Sequence, residues 1–164
     1  MIISKYALDC VQYNSKYETV TWETCTLRKW LNEIFIDVAF NLDEQLLIQE
    51  TNVSANKNPK YDTDPGKSTN DKIFLLSLNE VNKYFSSNEE RMCAATDYAI
   101  AQGAWTLVDY KLEGKLLCWQ WLRSPGYDQN SAARVGLSGS VIYDGSVASS
   151  DDGCIRPAMW ISLE

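Results

Sequence analysis

The chain has 164 residues, 45% of them apolar and 12% aromatic, which suffices for the core of a single domain over residues 1–164. Its net charge of −7 argues against a nucleic-acid partner, and no stretch reaches the roughly 18 apolar residues of a membrane span. Histidine is absent, which excludes Ser-His-Asp catalysis and histidine-ligated metals.

The first third of the chain predicts a short strand and two helices. Residues 2–8 are the strand, and Thr21 as N-cap predicts the start of a long helix. Asp43 is the predicted N-cap of a second, shorter helix, with Leu42 and Leu47 as a hydrophobic staple. The apolar residues of the long helix recur at helical spacing and are predicted to face the core: Leu27, Trp30, Leu31, Ile34, Phe35 and Val38.

The middle of the chain begins with a polar loop over residues 51–70, followed by an apolar run of strand length over residues 72–77. Ser77 and Glu80 form a capping-box pattern, which predicts that a helix begins there. Thr96 is the predicted N-cap of another short helix.

The next segment predicts strands. Residues 105–113 are predicted to be a strand or a loop, and Glu113-Gly114 is predicted to be a turn. Residues 116–122 are predicted to be a buried strand. Helices therefore come mainly before strands, which favours an α+β fold with two or more helices on a small, mostly antiparallel twisted sheet.

Residues 127–152 differ in composition from the rest of the chain. They contain no Lys, Glu, Trp or Met and only one Gln, although exposed segments normally favour Lys and Glu. Tyr, Ser, Asp, Asn, Gly and Ala dominate instead, as they do in the contact surfaces of antibodies. The composition therefore predicts a ligand-binding segment.

A six-residue period divides this segment into a frame and a surface. Val135, Val141 and Val147 are six residues apart, and Gly-Ser-Val occurs at 139–141 and 145–147. Short strands with tight glycine turns would place each Val inward, together with Ala132, Ala133, Gly139, Gly145 and Gly153. The residues predicted to be exposed and to bind the ligand are Tyr127, Asp128, Asn130, Ser131, Arg134, Leu137, Ser138, Ser140, Ile142, Tyr143, Asp144, Ser146, Ala148, Ser149, Ser150 and Asp151.

The five cysteines predict neither zinc nor a dense disulfide framework. Their spacing lacks any zinc-knuckle pattern. Four have apolar or small neighbours, which favours buried free thiols, and one disulfide with spare thiols is the alternative. No metal or other cofactor is predicted. A nonstandard calcium site at Asp144, Asp151 and Asp152 is the alternative.

Four motifs resemble those of a bacterial domain family of unknown function. They are TWETCTLRKWLN (21–32), DKIFLLS (71–77), WLRSPG (121–126) and IRPAMWI (155–161). Members of that family carry WWLRSPG and GVRPALW, where this chain has Trp-Gln-Trp at 119–121 and Cys154-Ile155. Members also have further strands before ISKYALD, so the resemblance predicts that the chain lacks these N-terminal strands.

The ending of this family resembles that of C-type-lectin-like domains of the formylglycine-generating-enzyme type. Some similar domains are the variable proteins of diversity-generating retroelements, which mutate adenines in a copied template. Mutating the first two bases of Asn codons yields Tyr, Asp, Ser, Gly, Ala, Arg, Leu and Ile, but never Lys, Glu, Gln, Trp or Met. The resemblance therefore implies a C-type-lectin-like fold and a genetic cause for the composition of residues 127–152.

The resulting hypothesis is a non-catalytic module that displays a diversifiable surface to a protein or glycan ligand. Trp119, Trp121, Arg123 and Arg156 are predicted to be structural supports of that surface. The alternatives are a structural spacer of a larger bacterial surface protein and an oxidase of the formylglycine-generating type that uses Cys118 and Cys154. No targeting signal is visible, so a location at the cell surface or outside the cell is expected only within a larger secreted parent. The sequence predicts no oligomeric state.

Overall fold

A computed structural model describes residues 1–162. It has an α+β architecture, as predicted, in which short helices accompany four small and mostly antiparallel sheets in the described residues. The strands in chain order are β1 Ile2–Ile3, β2 Asp9–Cys10, β3 Ile48–Gln49, β4 Thr51–Val53, β5 Thr69–Asp71, β6 Ile73–Phe74, β7 Cys93–Ala94, β8 Thr106–Leu112, β9 Lys115–Cys118, β10 Gln120–Pro125, β11 Ser131–Val135, β12 Val141–Val147, β13 Cys154–Ile155 and β14 Ala158–Ile161. The helices are α1 Thr26–Trp30, α2 Ile36–Ala39, α3 Leu42–Leu47, α4 Leu78–Tyr84, α5 Asn88–Arg91 and α6 Asp97–Ala101.

The first helical segment begins later than predicted and is irregular. Cys25, not Thr21, is the N-cap, and its Sγ accepts the Arg28 N–H at 3.4 Å. A π-helical turn over Leu31–Phe35 joins α1 to α2. Such a turn holds more residues than an α-helical one, so it rotates the residues that follow around the helix axis.

The π-helical turn changes the buried face of this helix. Leu27, Leu31 and Ile36 are buried, whereas Ile34 and Val38 are 54% and 83% exposed. The prediction that Ile34 and Val38 face the core is therefore wrong, because it assumed a uniform period of 3.6 residues.

The cap of α3 also differs from the prediction. Asn41 is its N-cap, and its side chain and that of Glu44 form a reciprocal capping box. Leu42 and Leu47 are both exposed, so the predicted staple and the predicted Asp43 cap are wrong.

Three local predictions from the middle of the chain are confirmed. Ser77 caps α4 through a capping box with Glu80, and Thr96 caps α6 by accepting the Ala99 N–H. Glu113 and Gly114 both have positive φ, as expected for the tight turn between β8 and β9. These signals depend on neighbours in sequence, which explains why they can be recognised without the fold.

The largest sheet has the strand order β12-β11-β10-β13-β2. Every residue of β10 is buried, and β10 runs parallel to β13 while its other sheet neighbour, β11, is antiparallel. The strand predicted over residues 116–122 is divided at Trp119, since β9 belongs to a separate sheet with β7 and β8. The fold thereby places the WLRSPG and CIRP segments side by side in the same sheet as the strands of the unusual segment.

Candidate functional site

The segment of unusual composition forms the outer part of the largest sheet. It supplies β11 and β12, which pair antiparallel, and the connection from β12 back to the buried β13. The backbone carbonyl of Asp144 accepts the Tyr127 N–H at 3.0 Å, and Asn130 accepts the Ala148 N–H at 2.8 Å. Main-chain hydrogen bonds therefore tie the first residues of the segment to β12 and the residue that follows it.

Two glycines allow close backbone approach within this segment. Gly139 and Gly145 have the same φ of +76°. A Cβ on Gly139 would lie 1.7 Å from the Asn88 carbonyl oxygen, and one on Gly145 would lie 2.0 Å from that of Ala132. Only glycine combines this φ with these contacts, so both positions belong to the frame of the segment.

The side chains of the segment follow the predicted alternation only in part. Ser131 and Ala148 are 2% and 1% exposed, so their predicted place on the surface is wrong. Val147, predicted to face inward, is 37% exposed. The pairing of β11 with β12 shifts register between Ala132 and Arg134, and the positive φ of Gly145 turns the backbone, so the alternation is not kept along β12.

The other predicted contact residues are reachable from solvent to different degrees. Tyr127, Ser138, Asp144 and Asp151 are exposed. Half-buried are Asp128, Asn130, Arg134, Leu137, Ser140, Ile142, Tyr143, Ser146, Ser149 and Ser150. Tyr143 and Leu137 also pack against the main core, so only part of each side chain is available to a ligand.

The polar loop between β4 and β5 forms part of the same face, which the sequence reasoning missed. The Tyr61 hydroxyl donates to Asp144 Oδ1 at 2.5 Å, and the Lys60 ammonium lies 4.3 Å from the ring centroid of Tyr143. Asn58 is buried and its amide donates to the carbonyls of Pro125 and Tyr143 at 2.9 and 2.8 Å. A buried Asn in a loop has no clear sequence signal, because its partners are more than 60 residues away.

Carboxylates contact two phenols of this face. A hydrogen bond to Asp144 raises the pKa of Tyr61, and a hydrogen bond to Asp128 raises the pKa of Tyr127. Tyrosine phenols are in any case neutral near pH 7, so both can serve as hydrogen-bond donors and acceptors. We name Tyr61, Tyr127, Tyr143 and Asp144 the tyrosine face.

Paired tryptophans lie beneath this face. Trp119 and Trp121 are buried with ring centroids 4.6 Å apart in an edge-to-face arrangement, and the Arg134 guanidinium lies 5.0 Å from the Trp119 ring. The Trp121 Nε1 donates to the carbonyl of Val11 at 3.0 Å. Gly153 passes so close that a Cβ there would lie 2.4 Å from both indoles, so the return of the segment to β13 is packed against the pair.

Arg123 connects several segments below the face. Its side chain is buried, it donates to the Leu75 carbonyl at 2.8 Å and to the Ser54 carbonyl at 3.3 Å, and it pairs with the Glu80 carboxylate. Phe74 lies under the guanidinium at 5.8 Å. The buried guanidinium therefore joins β10 to α4 and to the segments that follow β4 and β6.

Arg156 makes fewer contacts. It is half-buried, donates from Nε to the Ser4 carbonyl at 2.9 Å and lies over the ring of Phe85 at 5.2 Å. Its guanidinium thus joins the C-terminal motif to the N-terminal strand. The proposed structural role of Arg156 stays a prediction.

Two searches of residues 1–162 give negative results. No three acidic, cysteine or histidine side chains in this range are placed to hold a metal ion. Within the same range, no helix has the length and apolar character needed to cross a bilayer. Asp144, one of the three carboxylates of the calcium alternative, is engaged by Tyr61.

These observations define a small α+β domain with a partly exposed tyrosine face and a buried tryptophan pair in the same region of the fold. Residues 1–163 match the family described as "Domain of unknown function (DUF6273)". The chain belongs to this family, which agrees with the resemblance to a family of unknown function drawn from its motifs. Neither the curated proteins nor the solved structures contain a match to the chain.

Proposed function

We propose that the domain is a non-catalytic binding module whose tyrosine face contacts a protein or glycan ligand. The observation that carries the proposal is the fixed placement of an exposed phenol, Tyr127, and a half-buried phenol, Tyr61, beside carboxylates. Tyr127 is 53% exposed while its backbone N–H is bonded to Asp144, and the Asp144 side chain is bonded in turn to Tyr61. A face ordered before binding loses little conformational entropy when the ligand arrives.

The chemistry of the face suits such ligands. Tyrosine presents a rigid apolar ring and a polar hydroxyl, and Ser, Asn and Asp add adaptable hydrogen bonds. Lys60 adds a cation above the Tyr143 ring. A glycan would use the rings and hydroxyls, and a protein would use the same anchors together with the charges.

We also propose a C-type-lectin-like fold and a surface open to genetic diversification. The support is the composition of residues 127–152, the motifs at both ends and the frame of Gly139 and Gly145. With Ser131 and Ala148 removed from the surface set, each remaining member is still of a type reachable from an Asn codon by adenine mutation. The parent protein would then display the face at the cell surface or outside the cell.

Three alternatives are less well supported. A spacer domain requires no ordered aromatic face, yet the phenols here are held in a hydrogen-bond network. An oxidase of the formylglycine-generating type needs thiols that a substrate can reach, whereas Cys118 and Cys154 are both fully buried. The calcium alternative would require Asp144 to exchange its bond to Tyr61 for the ion.

Comparison of the same locus among sister isolates tests diversification. We expect amino-acid substitutions to cluster at Tyr127, Asp128, Ser138 and Asp144 and to be absent at Gly145. Exposed residues of α2 and α3, outside the segment, serve as the matched control. An even spread of substitutions over all exposed residues of the domain would contradict the proposal and favour the spacer.

Truncation of the tyrosines separates contact residues from core residues. We expect Tyr127→Ala to change the free energy of unfolding by no more than about 0.5 kcal/mol, because its ring contributes to no core cluster. Tyr143→Ala should cost about 1–2 kcal/mol, because its ring packs against the main core. Urea unfolding followed by fluorescence measures both, and a large loss for Tyr127→Ala would remove it from the face.

A further inference from the structure

Four of the five cysteines meet in a small core of their own, although they are far apart in sequence. Cys10, Cys93, Cys118 and Cys154 come from four strands and share this core only with small residues and the edge of Ile100. All are free thiols. The Cys118 Sγ donates to the backbone carbonyl of Cys93 at 3.6 Å. This thiol cluster belongs to no part of the tyrosine face.

Two pairs within the cluster lie directly opposite each other on antiparallel strands. Cys10 pairs with Cys154 between β2 and β13, and Cys93 pairs with Cys118 between β7 and β9. Opposed residues of antiparallel strands have Cα atoms about 4.5–5.5 Å apart. Disulfides span Cα separations of about 4.4–6.8 Å, so either pair can be bridged without rearranging the backbone.

Access distinguishes the two pairs. Cys10 is 9% exposed, whereas Cys93, Cys118 and Cys154 are at most 1% exposed. Cys10 also lies beside the surface, since its Sγ donates to the carbonyl of the exposed Asp151 at 3.3 Å. An oxidant from solvent therefore meets Cys10 first, and its nearest strand partner is Cys154.

We propose that Cys10 and Cys154 are a redox-responsive pair that forms a disulfide with a small-molecule disulfide of the glutathione type as oxidant. The Cys10 thiolate attacks one sulfur of the oxidant, which forms a mixed disulfide and releases one thiol. The Cys154 thiolate then attacks the Cys10 sulfur and releases the second thiol. Two protein thiols and one small disulfide thus become one protein disulfide and two small thiols.

The surroundings favour Cys10 as the first of the two thiols to react. The neighbouring Cys154 thiol lowers the pKa of Cys10, which increases the fraction of attacking thiolate, and the same contact raises the pKa of Cys154. Cys154 therefore attacks only after Cys10 has formed the mixed disulfide and this contact is lost. Cys25 offers a contrast within the same chain, because burial raises its pKa to about 12 and it lies in the main core, outside the thiol cluster. The bond would close a long loop between β2 and β13 and would stabilise the fold by restricting the unfolded chain.

Titration of the intact, reduced chain with glutathione buffers of rising oxidised fraction tests the proposal. Acid quenching, alkylation and peptide mapping identify the bonded cysteines, and thermal unfolding records the Tm. We expect wild type and the control Cys25→Ser to lose two thiols together, to yield the Cys10–Cys154 peptide pair and to gain roughly 5 °C or more in Tm. Cys154→Ser should retain glutathione on Cys10, and Cys10→Ser should not react while folded.

Three results would overturn the proposal. One is a native chain whose thiols survive the whole range of buffers and react only after unfolding. Another is a different bonded pair, such as Cys93–Cys118. The third is oxidation of Cys10→Ser as fast as wild type. Cys154→Ser reports separately on the first step, the reaction of Cys10 with glutathione. The proposal can therefore still be tested if Cys10→Ser alone fails to fold.

Discussion

Arg123→Ala is expected to lower the free energy of unfolding by about 3 kcal/mol, measured by urea denaturation at neutral pH. The substitution removes a buried guanidinium that satisfies the Leu75 and Ser54 carbonyls and pairs with Glu80. It also leaves a space above Phe74. Arg123→Lys should recover part of the loss, because an ammonium keeps the charge but not the planar arrangement of donors.

The matched control for Arg123 is the exposed Lys29→Ala on α1, expected to change stability by less than about 0.5 kcal/mol. A loss below about 1 kcal/mol for Arg123→Ala would contradict the structural role. The alternative explanation, a general sensitivity of the domain to any loss of positive charge, would make both variants unstable.

Acid provides a second readout of the same ion pair. Burial raises the pKa of Glu80, but the bonds from Arg123 and Ser77 outweigh it, so the folded-state pKa lies below the ordinary value of a glutamate, 4.5. A lowered carboxyl pKa stabilises the fold above the unfolded-state pKa, and this contribution is lost as the pH falls through the folded-state value. The stability difference between wild type and Arg123→Ala should therefore shrink below about pH 4.5.

Gly145→Ala is expected to cost about 3 kcal/mol of unfolding free energy, measured in the same way. The new Cβ would lie 2.0 Å from the Ala132 carbonyl oxygen. Ala132 is paired with Ser146, the neighbour of Gly145, so the two backbones cannot easily move apart. The positive φ of +76° adds strain for any residue other than glycine. Because Gly145 lies in β12, the damage would fall on the frame of the tyrosine face.

Gly114→Ala is the control that isolates the conformational part of this cost. Gly114 has a similar φ of +80°, but no atom lies within 4 Å of its would-be Cβ. We expect Gly114→Ala to cost about 1 kcal/mol, from strain alone. An equal loss of unfolding free energy in the two variants would show that the close approach of Gly145 to Ala132 does not contribute to the cost of Gly145→Ala.

The sequence by itself determined features whose partners are close along the chain. The capping box of Ser77 and Glu80, the Thr96 cap and the Glu113-Gly114 turn each involve atoms within a few residues. The α+β class follows from the order of such elements. The family also follows from local motifs. The predicted binding segment rests on composition, which is read without the fold.

The tertiary structure decided everything that depends on residues far apart. The π-helical turn exposed Ile34 and Val38, and the register shift between β11 and β12 buried Ser131 and Ala148. Neither irregularity has a short-range signal, because each is stabilised by packing against other segments. A regular period was therefore the wrong assumption at both places.

The same reason applies to the tyrosine face and the thiol cluster. Tyr61 reaches Asp144 across 83 residues of sequence, and Cys10 meets Cys154 across 144. The sequence showed which residue types were present, but their spacing along the chain does not predict which residues come into contact in the fold. Only the pairing of strands and the packing of the loop between β4 and β5 brought these side chains together.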